Sequence, residues 1–263
     1  MAFSPPVVGC LVKKGLQKGG SRAPQDPLAT PLQIADNHKL VSFNVKSLFT
    51  RTPLQLAFDC TKTAITASLY QPLPIDDLIM DLLDFCSVTP TYFQCDGKHY
   101  KQQHGTAMGS SVSVVVAEIV MQNIEEPALA TNSETLPLQL RYVDDTITTV
   151  HKNKIDEFHE HLSKHNTSIQ VTKEIEEIGK IPFLDCLVTR EKIALLTTVY
   201  RKPTHTDKLL DQRSYNPTSH KATAVRTLTR RAQIACDSHD SLTDETKDFN
   251  TFFLLRTTAA QTS

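Results

Sequence analysis

The stretch LRYVDDTITTV, residues 140–150, sets two carboxylates side by side in an otherwise strand-like run. Asp144 and Asp145 follow Tyr142 and Val143 and precede Thr146, Ile147 and Val150. Two unit charges ~4 Å apart repel by roughly 4 kcal/mol at an effective dielectric near 20. A hairpin tip lowers that cost by exposing both groups to water, and a divalent cation removes it. Mg²⁺ suits such a pair, because it takes oxygen ligands and is often held by one or two carboxylates together with substrate phosphates. Asp is also a common turn residue, so the pair taken alone reads first as a solvated turn. The choice depends on its surroundings.

Those surroundings are the elements of an α+β chain with an antiparallel sheet. LVSFNV (40–45) is a short β-type run, and Pro53 opens a helix over 53–69. Residues 74–86 carry an apolar stripe of Ile75, Leu78, Ile79, Leu82 and Leu83. Asp96-Gly97 is a type I′ turn signal within 91–102. A helix is predicted near 110–126, then two strands, LPLQLRYV and TITTV, joined at Asp144-Asp145. An amphipathic helix (154–165), three strands (SIQVTKE, IPFLDCLVTR, ALLTTVY) and a helix over 218–236 follow.

Composition bounds the function classes. The 263 residues carry a formal net charge of −1, so bulk charge gives no pull on nucleic acid and any such partner needs a local basic patch. The six cysteines form no close metal-ligand pair, which reads as reduced thiols in an intracellular protein of the nucleus or cytoplasm. VSVVVAEIVM (112–121) is half a membrane span and contains Glu118, so no membrane partner is expected. Residues 1–37 hold five of the 14 prolines and four of the eight glycines, and read as a disordered or unrelated segment. Residues 237–263 read as a polar tail.

Five blocks then occur in order: FNVKSLF (43–49), GTAMGSSVS (105–113), RYVDD (141–145), GKIPFLDCLVTR (179–190) and VYRKPTHTDKLL (199–210). Together they resemble the palm of a reverse transcriptase. The similarity is greatest to Penelope-like retroelements, whose pattern runs FDVxSLF, GTAMGSPLSP, RYVDD, PFLD and YRKPTHTD. The resemblance implies a palm with an antiparallel sheet over 38–200 and a partial, basic, helical thumb over 201–236. The implied activity is that of an RNA-directed DNA polymerase using Mg²⁺, deoxynucleoside triphosphates, an RNA template and a DNA primer. Asp144 and Asp145 would be two of three metal-binding carboxylates in a two-metal in-line displacement. Phe49 stands where the family keeps an aromatic against the ribose 2′-hydroxyl, with core packing as its alternative. Gly105 and Gly109 would let backbone approach template and incoming nucleotide, or loosen a helix N-terminus. Phe183 and Leu184 resemble a primer grip, or strand core. Between 201 and 231, eight basic residues, among them Arg201, Lys202, Lys221, Arg226, Arg230 and Arg231, stand against Asp207 and Asp211. Such a cationic face supplies phosphate contacts without sequence preference, or is an ordinary solvated helix.

The chain departs from the pattern at its first block. The family's Asp is Asn44 here. Asn offers one neutral carbonyl oxygen and an NH₂ donor, so the third carboxylate is missing. The two prolines of GSPLSP are Ser111 and Val114. These departures imply an impaired polymerase, a truncated and degenerate copy. The alternative is a non-catalytic nucleic-acid-binding remnant.

Overall fold

The computed structural model describes residues 34–67, 76–88, 92–107, 109–131, 136, 138–164, 168–191, 194–205 and 214–258. The loop expected at 1–37 lies outside them up to residue 33, as does 206–213 of the basic stretch. The strands are β1 (His38–Val45), β2 (Tyr92–Cys95), β3 (Lys98–Lys101), β4 (Gln139–Tyr142), β5 (Asp145–His151), β6 (Val171–Ile175), β7 (Lys180–Phe183), β8 (Cys186–Arg190) and β9 (Leu195–Val199). The helices are α1 (Leu48–Arg51), α2 (Leu54–Ala67), α3 (Asp76–Val88), α4 (Ser111–Thr131), α5 (Ile155–Lys164), α6 (Thr218–Ala235) and α7 (His239–Thr258). Among the described residues, no helix is long and apolar enough to cross a membrane.

Strand alternation explains the layering. Successive side chains of a strand point to opposite faces, and in the antiparallel sheet β4-β5-β1-β6 the paired residues share a face. Val41, Phe43 and Val150 turn one way and pack on Ile155, Phe158 and Leu162 of the amphipathic α5. Phe43 meets Phe158 at 5.4 Å between ring centroids. At the end of β1, Val45, with Leu48 just beyond it, joins Ala57 of α2, Leu83 of α3 and Val116 and Val120 of α4. The other face of β1 carries Leu40, Ser42 and Asn44, opposite Thr149, Ile147 and Asp145. Its apolar end, Leu40 and Ile147, is covered by Ile181, Phe183 and Val188 of a three-stranded sheet, β7-β8-β9. Its polar end, Asn44 and Asp145, borders an open cleft.

Glu176 ties the two sheets together. Its fully buried carboxylate pairs with Arg190 of β8 at 3.0 Å and with Lys39 of β1 at 3.7 Å. Arg190 also donates to the His38 carbonyl at 2.9 Å.

Three elements differ from expectation. IPFLDCLVTR is a hairpin rather than one strand: Phe183 pairs with Cys186, and Leu184 turns the chain at φ 56°. The Tyr200 N–H donates to the Asp185 carbonyl at 2.8 Å and so holds that turn against the end of β9. The stripe on α3 divides, with Leu83 buried but Leu78 and Leu82 exposed. The polar tail contains a further helix, α7, held by Glu245, which is buried against Arg201.

Candidate active site

The carboxylate pair sits where two strands meet. Tyr142 pairs with Asp145, so the turn is Val143-Asp144 and Asp145 is the first residue of β5. Val143 takes φ 57°, a left-handed conformation that a β-branched side chain resists. Two hydrogen bonds hold the turn there. The Val45 N–H donates to the Asp144 carbonyl at 3.2 Å, and Arg141 Nη1 donates to the Val143 carbonyl at 3.4 Å. The first bond comes from β1, and the same register sets Asn44 opposite Asp145. Asn44 Nδ2 donates to Asp145 Oδ1. Burial pushes both carboxyls above the ordinary aspartate range. At Asp145 the Asn44 amide and Lys202 pull the other way; at Asp144 the neighbouring Asp145 charge adds to the rise.

Arg141 is the residue that sequence reasoning missed. Its Nη1 and Nη2 donate to both oxygens of Glu118, each at 2.6 Å, and its Nε donates to Glu125 at 2.7 Å. Thr146, the second residue of β5, donates to the other Glu125 oxygen at 2.9 Å. Both strands of the hairpin are therefore bonded to α4 through one guanidinium and two carboxylates. The available signal was the spacing of Glu118 and Glu125, seven apart in an apolar helical run and hence on one face.

A cleft of about 640 Å³ opens beside Asp145. Asn44, Asp145, Lys173, Phe183, Leu184 and Lys202 contribute to its walls. Four sequence blocks far apart in the chain thus converge on one cleft. Phe183 is buried core, whereas Leu184, at the turn, is partly buried. Phe49 is partly buried against the α2–α4 cluster. Gly105 is required by close packing within the chain: a Cβ there would lie 2.4 Å from the Phe49 carbonyl oxygen, and the Thr106 N–H donates to that same oxygen at 2.6 Å. Gly109 has φ +90° with open space around it.

The basic residues divide in three. Arg201 gives both terminal nitrogens to Glu245, at 2.8 and 2.6 Å, with Phe249 beneath it at 5.8 Å. Lys202 faces the cleft, and Lys221 donates to the Ser214 carbonyl at 2.8 Å. On α6, Arg226 and Arg230 are exposed on one face, while Arg231 is half-buried with its Nε enclosed. The C-terminal end of α6 is anchored by the buried Thr197 of β9, which donates to the Ala235 carbonyl at 2.6 Å.

Two dications do not fit the donor set found here. Asp144 and Asp145 supply two carboxylates, and the Asn44 N–H group is directed at an oxygen of one of them. Among the described residues, no group of three His, Cys, Asp or Glu side chains is assembled to hold a metal.

No protein-family model matches the chain, and no curated protein sequence does. Among solved structures it is similar to telomerase from Candida albicans, in a complex with a TWJ fragment of telomeric RNA, at 13% identity and a TM-score of 0.51 over 84% of this chain and 40% of that one. It is similar also to apo telomerase from Candida tropicalis, at 11% identity and a TM-score of 0.50 over 86% of this chain and 40% of that one. The chain therefore spans about two fifths of the length of these enzymes. The likeness is one of fold alone: helices packed on antiparallel sheet, as in these telomerase structures.

Proposed function

We propose that the chain is a reverse-transcriptase palm of Penelope-like retroelement descent, an RNA-directed DNA polymerase by ancestry whose chemistry is silenced at residue 44. In this reading it keeps the capacity to bind an RNA–DNA hybrid through the basic face of α6 and the cleft beside Asp145. The observation that carries it is the cross-strand pairing of Asn44 with Asp145. Position 44 is where the family pattern calls for a carboxylate, and it lies in the register that presents it to the acid pair. The five ordered sequence blocks and the fold likeness to telomerase support the ancestry, and α6 with its anchor on β9 supports a thumb-like role.

The loss of one carboxylate has a direct electrostatic consequence. Mg²⁺ prefers anionic oxygen ligands, and Asn44 brings a neutral amide whose N–H group points at the acid. Asn44→Asp restores a three-carboxylate set, which we expect to take Mg²⁺. A fluorescence-anisotropy titration with a labelled RNA–DNA hybrid tests the binding half. Wild type and Asn44→Asp should bind alike and without sequence preference. Failure of both to bind at low salt would remove the nucleic-acid reading.

A further inference from the structure

The β2–β3 hairpin stands outside the site just described, and every residue from Tyr92 to Lys101 is exposed. A solvent-facing ribbon is ordinarily polar, and a cluster of exposed large aromatics is the informative exception. It carries three aromatics instead: Tyr92 is 64%, Phe93 54% and Tyr100 45% exposed. The register explains their arrangement. Phe93 and Tyr100 are cross-strand partners on one face, stacked at 5.5 Å with 19° between their planes. Cys95 and Lys98, the next pair on that face, place an ammonium group beside the stack. On the opposite face Lys101 lies over the Tyr92 ring at 5.6 Å, and Gln94 faces His99. Asp96 and Gly97 both take positive φ, as a type I′ turn requires. The ribbon leads through Gln103 and His104 to Gly105, whose backbone is packed on Phe49 and Thr50. Gln103, His104 and Gly105, with Thr50 and Arg51, line a second cleft of about 610 Å³.

We propose that the Phe93–Tyr100 face is a stacking platform for single-stranded nucleic acid, with Lys98 contacting the backbone phosphate. This rests on the reading of the chain as a nucleic-acid-binding protein and adds to it a second surface, separate from α6. Flat aromatic rings flanked by cations bind single strands because every base offers a π-face, and the phosphates follow the charge. The Asp96 carboxylate is the only acid in the ribbon, against Lys98 and Lys101. Apolar protein partners are less well matched by a surface that alternates rings with ammonium groups. RNA and DNA single strands share the chemistry, so both are probes.

The chain contains no Trp, so Tyr100→Trp introduces a single indole at the platform. The expected result is quenching of that indole by oligo-dT or oligo-rU at low salt. In anisotropy with the same labelled oligomers, Phe93→Val should bind about tenfold more weakly than wild type, and Phe93→Tyr should bind as wild type does. Valine keeps the strand, so a circular-dichroism match between variants separates lost stacking from lost folding. Quenching by both oligomers supports a shared single-strand platform, and quenching by one identifies the strand it takes. No quenching by either, or a Phe93→Val variant that binds as tightly as wild type, overturns the proposal. So does indole burial that depends on protein concentration alone, which marks the face as a contact between copies of the chain. Binding of an RNA–DNA hybrid, weakened and made less salt-dependent by Arg226→Ala with Arg230→Ala, is read in a separate titration. Failure of the palm reading and failure of the platform are therefore read in separate measurements and can be told apart.

Discussion

Asn44 and Asp145 are cross-strand partners, and the amide of the first donates to the carboxylate of the second. Asn44→Asp replaces that donor with a third acid, and like charges directly opposite each other destabilise a sheet. In chelator the variant should lose on the order of 1–3 kcal/mol, the penalty of leaving a buried acceptor unsatisfied. Mg²⁺ at about 100 times its dissociation constant should return roughly 2.7 kcal/mol. Thermal unfolding in EDTA and in Mg²⁺ checks both, and the wild-type midpoint should hardly move.

Arg141 holds the hairpin to α4 through two carboxylates. Arg141→Ala leaves Glu125 buried without its partner and should cost about 3–5 kcal/mol in urea unfolding. Glu118→Gln should cost less, because Glu118 is 45% exposed. The two acids also differ in pH response. Burial outweighs Arg141 at Glu125 and raises its carboxyl, whereas hydrogen bonds from Arg141 lower that of Glu118. A raised carboxyl means that the folded chain binds the proton first as pH falls. Glu125 therefore adds stability as pH falls through its raised value, and the gain is complete below the unfolded value of about 4.3. Glu118 stabilises above that value, and its contribution is lost as pH falls through its lowered one. Glu125→Gln should abolish the first trend and leave the second, as read from urea midpoints across pH.

The α6 arginines should separate in a salt titration. Arg226 and Arg230 are exposed on one face, and each phosphate contact contributes a log–log slope of about −0.9 on duplex DNA. Replacing both with Ala should flatten the slope by up to about two such contacts. Arg231→Ala should leave the slope unchanged, since that side chain turns inward.

The two glycines of GTAMGSS should also separate. Gly105→Ala forces a Cβ to 2.4 Å from the Phe49 carbonyl oxygen and adds a strained φ of +76°. A loss of about 2–4 kcal/mol is expected from the sum of strain and overpacking. Gly109→Ala meets open space at φ +90° and should cost only about 1–2 kcal/mol. Urea unfolding of both variants gives the comparison.

The parts of this architecture that were legible in the sequence are those set by local period and turn chemistry. The short β-type run LVSFNV, the Asp96-Gly97 turn and the amphipathic 154–165 helix all occupy their expected places. What was not legible depends on distant partners or on rule-breaking turns. The acid hairpin turns at Val143-Asp144, one residue earlier than expected, because a β-branched residue takes a left-handed conformation that its type argues against. The FLDC turn hides in the same way, with Leu184 at φ 56°. Arg201, read from its block as a nucleic-acid contact, has its partner Glu245 in a stretch whose polarity concealed a helix. Arg141 stands inside the most recognisable block, yet its partners lie 16 and 23 residues upstream.

Residue 44 is the centre of the account, and primer extension tests it most directly. Wild type, Asn44→Asp and Asn44→Asp with Asp144→Ala are compared on an RNA template with a DNA primer, deoxynucleoside triphosphates and Mg²⁺. The expected result is little or no extension by wild type, a gain of at least about 10²-fold on Asn44→Asp, the scale of one preorganised electrostatic contact, and loss of that gain with Asp144→Ala. Mg²⁺-dependent extension by the wild-type chain, abolished by Asp144→Ala and not increased by Asn44→Asp, would contradict it.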